Sequence, residues 1–233
     1  MLFDKHWKKW IRKHNCKLAN GTAALSKYST LLMEEHVLLG HQKIKTLQEL
    51  SIGAYTHIRS TGRLHLVKSI GRFCAISTDA YIGHEKYTHP LDWVSCHGIQ
   101  YSEEFPLVYT PPLKLATIGH DVMMGINAIV MEGVNVGTGA IIGARSVLAK
   151  DIPPYAIVVG NPAKIIRYRF PEEICQGLLE SQWWDYPIEV LKTLPMNKPA
   201  EFLKEISNIP REKAHYQTIQ ITHNKCKLLN EKN

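Results

Sequence analysis

Aliphatic residues recur at intervals of six along two blocks of the chain. The aliphatic positions are Ile52, Ile58, Leu64, Ile70, Ile76 and Ile82 in the first block, and Ile118, Met124, Val130, Val136, Ile142 and Leu148 in the second. Glycine often follows the aliphatic residue, and a small or short side chain often lies four positions after it. A period of six fits neither the 3.6-residue period of a helix nor the two-residue alternation of a half-buried strand. It indicates short strands joined by turns, which stack as coils with their aliphatic side chains inside.

Three other segments of the chain lack this period. Residues 84–114 separate the two blocks and contain three histidines and four prolines, and an excursion of this length is typical of a functional loop. Residues 168–233 are predicted to form a helical segment and a polar tail, because prolines interrupt the coil just before them. Residues 1–50 are interpreted as an N-terminal cap or extension. The coils are therefore expected over residues 51–167.

The repeat resembles that of the hexapeptide-repeat acyltransferases, which fold as a left-handed parallel β-helix of triangular section. The resemblance implies a mainly β chain, in which a left-handed parallel β-helix of hexapeptide repeats carries a long inserted loop and a C-terminal helical segment. Left-handed winding is an exception to the usual right-handed crossover. Each coil contains three hexapeptides, so residues that are three repeats apart stack on one another. The family also implies a homotrimer whose sites lie between subunits.

Composition and charge narrow the range of partners. The chain has 233 residues, a net charge of +7 and no apolar run long enough for a membrane span. Its N-terminus lacks the apolar region of a signal peptide. The five cysteines are scattered, so neither a disulfide framework nor a cysteine zinc site is indicated and a reduced cytoplasmic protein is predicted. The basic residues form no known nucleic-acid-binding motif, and a phosphorylated small molecule explains the same charge.

The inserted loop carries a narrower resemblance in the sequence HPLDWVS at residues 89–95. It is similar to a loop of the xenobiotic acetyltransferase branch, which includes type-B chloramphenicol and streptogramin acetyltransferases, and this implies that His89 is the general base. The chemistry suits histidine, because a base that deprotonates an acceptor hydroxyl works best with a pKa near neutral pH. The hydroxyl oxygen then attacks the thioester directly. Asp92 either orients the imidazole or caps a turn, and His84 and His97 are the competing loop histidines.

The resemblance implies acetyl-CoA as the cosubstrate. Gly125, Gly143 and Asn161 follow one another at intervals of three repeats, so they are expected to form one row along the prism that accommodates the pantetheine arm, with Ala144 beside it. Lys164 and Arg167 follow the last coil, where the phosphates of the coenzyme would emerge. The glycines are alternatively explained by the geometry of the repeat alone. Lys164 and Arg167 are alternatively explained by a solvated basic turn.

Two aromatic features qualify the resemblance. The family commonly has an aromatic residue at the position of Met123, so the shape of the coenzyme or acceptor wall is open here. Trp183 and Trp184 are interpreted as packing the C-terminal helical segment on the coils rather than as a ligand cage.

The acceptor is the least determined part of the function. The charged loop favours a polar acceptor, and we expect a sugar hydroxyl of a surface polysaccharide or its precursor, with an amine less favoured. The alternative is a xenobiotic, chloramphenicol or streptogramin, whose acetylation confers antibiotic resistance. Two other classes are less favoured: a metal-dependent hydratase resembling the gamma carbonic anhydrases, with a site formed by His84, His89 and His120, and a non-catalytic β-helix module. We expect no metal site.

Overall fold

The strands of the chain stack in three columns, which form the three faces of a prism. The structure is a computed structural model that describes residues 2–97 and 107–230, so residues 98–106 of the predicted excursion lie outside the described residues. Strands are numbered in chain order. The first face contains β1 (Lys17–Leu18), the starts of β3 (Leu38–Ile44) and β5 (His57–Leu64), β7 (Ala75–Ile76), β10 (Met123–Met124), β13 (Ile141–Ile142) and β15 (Ala156–Gly160).

The other two faces follow the same parallel pairing. The second face contains the ends of β3 and β5, β8 (Ala80–His84), β11 (Ile129–Met131) and β14 (Val147–Leu148). The third face contains β2 (Thr30–Glu34), β4 (Glu49–Ile52), β6 (Val67–Ile70), β9 (Ala116–Ile118) and β12 (Asn135–Val136). An antiparallel strand, β16 (Ala163–Tyr168), pairs with β15 and ends the first face.

The interior of the prism is formed by the residues that the repeat predicted. All twelve aliphatic residues of the two blocks are buried, none more than 3% exposed. Ile58, Ile76, Met124 and Ile142 stack in register across four coils, although the whole excursion separates Ile76 from Met124 in the sequence. The coils therefore close over the excursion without a break in the core. The predicted fold class, a mainly β parallel β-helix with an inserted loop and a C-terminal helical segment, is confirmed.

The coils begin earlier than the expected boundary at residue 51. Helix α1 (Leu2–Lys13) covers the end of the prism, and β1 to β4 already form coils. The strict period of six does not reveal them because these coils are longer than three hexapeptides. Leu31 pairs with Leu50, which makes one coil longer by a single residue, and Ile44 pairs with Leu64, which makes another longer by two. Extra residues at the corners shift the aliphatic positions out of phase while each side chain still points inward.

The C-terminal region combines helices with a hairpin. It contains α2 (Glu172–Ser181), a 3₁₀ turn (Trp183–Asp185), α3 (Ile188–Leu191), α4 (Pro199–Ile206), β17 (Thr218–Ile221) and β18 (Cys226–Asn230). Trp183 lies against Phe73 with ring centroids 5.2 Å apart, and Trp184 stacks on His120 at 4.7 Å. Both tryptophans thus pack the helical segment on the coils, as predicted. The tail is more ordered than expected, since β17 extends the third face beyond β2. None of the helices in the described segments has the length and apolar character of a membrane span.

Candidate active site

The inserted loop is fixed to the prism at its start. It leaves the second face after β8, where Nδ1–H of His84 donates to the carbonyl oxygen of Glu85 at 3.0 Å. The Glu85 carboxylate lies 3.2 Å from Nε2 of the buried His65. Sequence analysis did not identify His65, because its place within a repeat block gave no sign of a contact with the loop. These contacts anchor the first residues of the loop to the coils.

His89 lies in the exposed part of this loop, directly before the buried Pro90. Leu91 and Val94 are exposed as well. Asp92 is also exposed, and the described residues contain no hydrogen bond between its carboxylate and His89. The orienting role of Asp92 stays a prediction.

The two limbs of the loop contact each other through aromatic rings. The Trp93 and Tyr109 rings meet edge to face, with centroids 6.0 Å apart. Between them, the backbone N–H of His97 donates to Oγ of Ser95 at 3.1 Å. The competing histidines thus differ: His84 is partly buried at the anchor, whereas His97, like His89, is exposed.

His120 lies on the third face, away from the loop histidines in both position and chemistry. Its Nδ1 accepts a hydrogen bond of 3.0 Å from the backbone N–H of Arg72, and its ring is covered by Trp184. Burial lowers the pKa of His120 to about 4, helped by the Arg72 charge and opposed by Asp185. The described residues contain no group of three or more metal-ligating side chains, and the structure does not bring His120 together with His84 and His89.

Two rows of side chains run along the outside of the first face towards β16. One row is apolar and then basic, in the order Met123, Ile141, Ile157 and Arg167. The other row begins with glycines, in the order Gly125, Gly143, Val159 and Lys164. The small-residue row therefore leads directly to Lys164, and the exposed Met123 flanks it.

The absence of a side chain at Gly125 has a structural cause of its own. A Cβ at this position would lie 2.5 Å from the backbone nitrogen of Ala144 on the next coil, a distance that real Cβ atoms do not reach. Glycine is thus required for coil stacking whether or not a coenzyme passes this surface. A Cβ at Gly143 would lie 2.7 Å from a side-chain atom of Val159. Because a side chain can move more easily than the backbone, the requirement for glycine is weaker at this position.

Asn161 does not continue this row, which differs from the expected register. The last coil is shorter than three hexapeptides, because Ile142 pairs with Val158 rather than with Gly160. Val159 therefore takes the place expected for Asn161. Asn161 lies instead in the two-residue turn between the paired residues Gly160 and Ala163, next to the basic strand β16.

Lys164 and Arg167 are both exposed on β16. Lys164 pairs with Val159 and Arg167 with Ile157 across the antiparallel hairpin. Arg167 donates from Nη1 to the carbonyl oxygen of Tyr168 at 3.1 Å, and among the described residues neither cation has a carboxylate partner. Both charges are available to an anionic ligand at the end of the two rows.

A groove on the second face lies beside the start of the loop. It has a volume of about 460 Å³ and is lined by residues of successive coils. Lys43 and Arg63 stand in register on adjacent strands, and the guanidinium carbon of Arg63 lies 5.6 Å from the centroid of the Tyr81 ring. Asp79, which accepts a hydrogen bond from Thr61, contributes a negative charge. Cations and an aromatic ring suit a polar acceptor, and the Tyr81 ring also contacts the ring of the loop residue His84.

The third face carries a cleft of about 440 Å³ in which one cation, Arg72, faces two carboxylates, Glu34 and Asp185. Arg72 donates from Nε and Nη2 to Glu34, at 2.7 Å each, and from Nη1 to Asp185 at 2.9 Å. This cluster links the C-terminal region to the coils through Asp185. Sequence analysis missed it because its members lie far apart in the sequence and no local pattern links them.

The known proteins that this chain resembles include chloramphenicol and macrolide acetyltransferases. Over 129 residues the chain is 43% identical to a chloramphenicol acetyltransferase of Escherichia coli. The matched segment covers 53% of this chain and 61% of that relative. Over 146 residues it is 35% identical to a probable macrolide acetyltransferase of Lysinibacillus sphaericus, and this match covers 60% of this chain and 81% of that relative. The chain spans 61% to 64% of the length of the chloramphenicol acetyltransferases it matches. No family model matches the sequence.

Solved structures with a similar chain course include a hexapeptide-repeat-containing acetyltransferase from Vibrio cholerae. It has a TM-score of 0.41 and 25% identity over 56% of this chain and 72% of that chain. The polySia-specific acetyltransferase NeuO has a TM-score of 0.43 and 24% identity over 72% of this chain and 79% of that chain.

Proposed function

We propose that this chain, which belongs to the hexapeptide-repeat acetyltransferases of the xenobiotic branch, transfers the acetyl group of acetyl-CoA to a hydroxyl of a small xenobiotic. The observation that carries the proposal is the 43% identity to a chloramphenicol acetyltransferase. The identity to a probable macrolide acetyltransferase supports the same class of acceptor. These relatives favour the xenobiotic alternative over the sugar acceptor that the charged loop suggested.

The proposed chemistry needs one base and one attacking group. The imidazole of His89 accepts the proton of the acceptor hydroxyl while the hydroxyl oxygen attacks the acetyl carbonyl. The carbonyl oxygen becomes an oxyanion that backbone N–H groups can stabilise. Collapse of the tetrahedral intermediate breaks the carbon–sulfur bond and leaves the acceptor as its acetyl ester, and the departing thiolate of the coenzyme takes the proton back from the His89 imidazolium. The groove at Arg63 and Tyr81 is the surface on which we expect the polar parts of the acceptor to lie.

A panel of acceptors tests this function. We expect release of free coenzyme A from acetyl-CoA in the presence of chloramphenicol, a macrolide or streptogramin A, with mass spectrometry confirming an ester on a hydroxyl group. Nucleotide sugars and free sugars form the comparison arm. Turnover with sugars alone would restore the carbohydrate acceptor, and no release with any member of the panel would contradict acetyl transfer to these classes.

The coenzyme is expected to cross the row of Gly125 and Gly143, with Ala144 beside it, and to end near Asn161 and the cations of β16. Replacing Lys164 and Arg167 together by alanine should raise the KM for acetyl-CoA by roughly 10-fold, because two charge-assisted contacts with phosphates are lost. The kcat should change little, since a remote contact made equally in ground and transition states affects KM. Initial rates at about 50 mM and about 300 mM salt measure both effects, and the variant should depend less on salt.

The matched control for this variant is the double replacement of Lys204 and Lys213 by alanine. Both side chains are exposed in the C-terminal region, so the net charge changes equally while the β16 hairpin is unaltered. An unchanged KM in the β16 variant, or an equal rise in both variants, would assign Lys164 and Arg167 to a solvated turn.

We further propose that the active unit is a homotrimer with His89 facing the neighbouring subunit. The exposed apolar residues Leu91 and Val94 on the loop support this arrangement. Sedimentation velocity at micromolar concentration should give a mass about three times the 26.5 kDa of the chain. A monomer that turns over at full rate would contradict both the assembly and the intersubunit site.

A further inference from the structure

The basic residues of this protein are concentrated in two segments. The chain has 28 basic and 21 acidic residues, and residues 1–33 and 214–230 hold nine of the basic ones but a single acidic one, Asp4. The remaining segments hold 19 basic and 20 acidic residues. The two segments therefore account for the whole positive charge of the protein.

The fold brings both segments to the same end of the prism. Helix α1 packs against the core with Trp7, Trp10 and Ile11, and β1 is the outermost strand of the first face. The hairpin of β17 and β18 lies beyond β2, the outermost coil strand of the third face. Nδ1–H of His223 in its turn donates to the carbonyl oxygen of Leu25 at 2.9 Å. We call this surface the basic end, formed by Lys5, Lys9, Arg12, Lys13, Lys27, Lys225 and Lys227.

The exposed cations of α1 do not serve the stability of the helix. Lys5, Lys9 and Lys13 are spaced by four residues and exposed on one side of it, and like charges at this spacing are destabilising. Arg12 and Lys13 gain from the helix dipole at the C-terminal turn, but Lys5 and Lys9 lie too far from it. Among the described residues, none of these four cations has an ion-pair partner.

Aromatic side chains accompany the cations. Trp7 and Trp10 are only partly buried against the core, and Tyr28 is 80% exposed with the Lys27 ammonium 5.7 Å from its ring centroid. Tryptophan and tyrosine next to lysine are typical of side chains at the boundary between a bilayer and water. The apolar side of α1 already contacts the coils, so this end offers charge and aromatic edges but no free apolar face to insert.

We propose that the basic end binds the surface of membranes that contain anionic phospholipids, as a peripheral and salt-sensitive contact. Each cation near such a surface adds about fivefold to the binding constant, and the contact weakens as salt screens it. This contact determines where the protein resides and does not depend on which acceptor it acetylates.

Co-sedimentation of the full chain with vesicles tests the proposal. We expect binding to vesicles made of two parts phosphatidylcholine and one part phosphatidylglycerol at about 50 mM salt, no binding to pure phosphatidylcholine, and loss of binding at about 500 mM salt. Replacing Lys5, Lys9 and Lys13 together by glutamine should weaken binding on the order of 100-fold. Glutamine keeps a high helix propensity and removes the repulsion between the like charges, so circular dichroism should match the wild type and the variant should be at least as stable to heat.

The matched control replaces Lys150, Lys204 and Lys213 by glutamine, which are exposed outside the basic end. This variant should bind like the wild type. A second test variant, with Lys27, Lys225 and Lys227 replaced by glutamine, probes the same end if the α1 variant unfolds. No binding by the wild type, equal weakening in the control, or complete displacement from vesicles by duplex DNA at equal phosphate concentration would each overturn the proposal.

Discussion

Replacing His89 by alanine is expected to lower kcat about 100- to 10,000-fold, the range found when a general base is removed. The affinity for acetyl-CoA and the assembly should be unchanged, because His89 is exposed on a loop and contributes nothing to the core of the prism. Turnover of a verified acceptor, together with a direct binding measurement for acetyl-CoA, separates the chemical step from binding.

The loop supplies its own controls for this variant. His97 is an exposed histidine of the same loop, and its replacement by alanine should leave kcat within a few-fold of wild type. His84 anchors the loop through Glu85, so its replacement should affect both kcat and KM by loosening the segment that carries His89. A near-wild-type rate for the His89 variant would contradict its role as the base, and a large loss confined to the His84 or His97 variant would move that role.

The period of six predicted the central coils because each buried position repeats locally. Ile70, Val130 and Ile142 are buried as expected, and the core continues across the excursion since the inserted loop leaves the phase of the second block intact. The sequence did not predict the first coils, because their buried positions do not repeat at a fixed spacing. A coil that exceeds three hexapeptides by one or two positions keeps its core but loses the spacing that makes it visible in the sequence.

The candidate site likewise contains contacts that the sequence did not predict. Lys164 lies in line with the glycine row because antiparallel pairing of β16 aligns it with Val159, a relation that the sequence spacing of Asn161 did not reveal. The contact between His65 and Glu85 and the cluster around Arg72 are likewise invisible in the sequence. Each joins residues through the stacking of coils or the return of the C-terminal region, and neither leaves a local pattern.

His120 is expected to make the protein less stable in mild acid. Its ordinary pKa is 6.5, and burial under Trp184 lowers the pKa in the folded protein to about 4. Between these values the unfolded chain binds a proton at this ring and the folded protein does not, so the free energy of unfolding falls as the pH falls. From this group alone we expect a loss of about 2 kcal/mol between pH 7 and pH 5.

Urea unfolding at pH 7 and pH 5 measures this loss, and replacing His120 by glutamine isolates it. The glutamine oxygen can still accept from the backbone N–H of Arg72, whereas the titrating ring is gone. Glu34, Arg72 and Asp185 face His120 and are common to both proteins, so their contributions largely cancel. The variant should be less stable at pH 7, because it loses the stacking on Trp184, but its stability should change less between the two pH values. As a control, the exposed His57 replaced by glutamine should keep the wild-type pH dependence. An equal dependence in the His120 variant and the wild type would show that this ring takes up its proton as readily in the folded protein as in the unfolded chain.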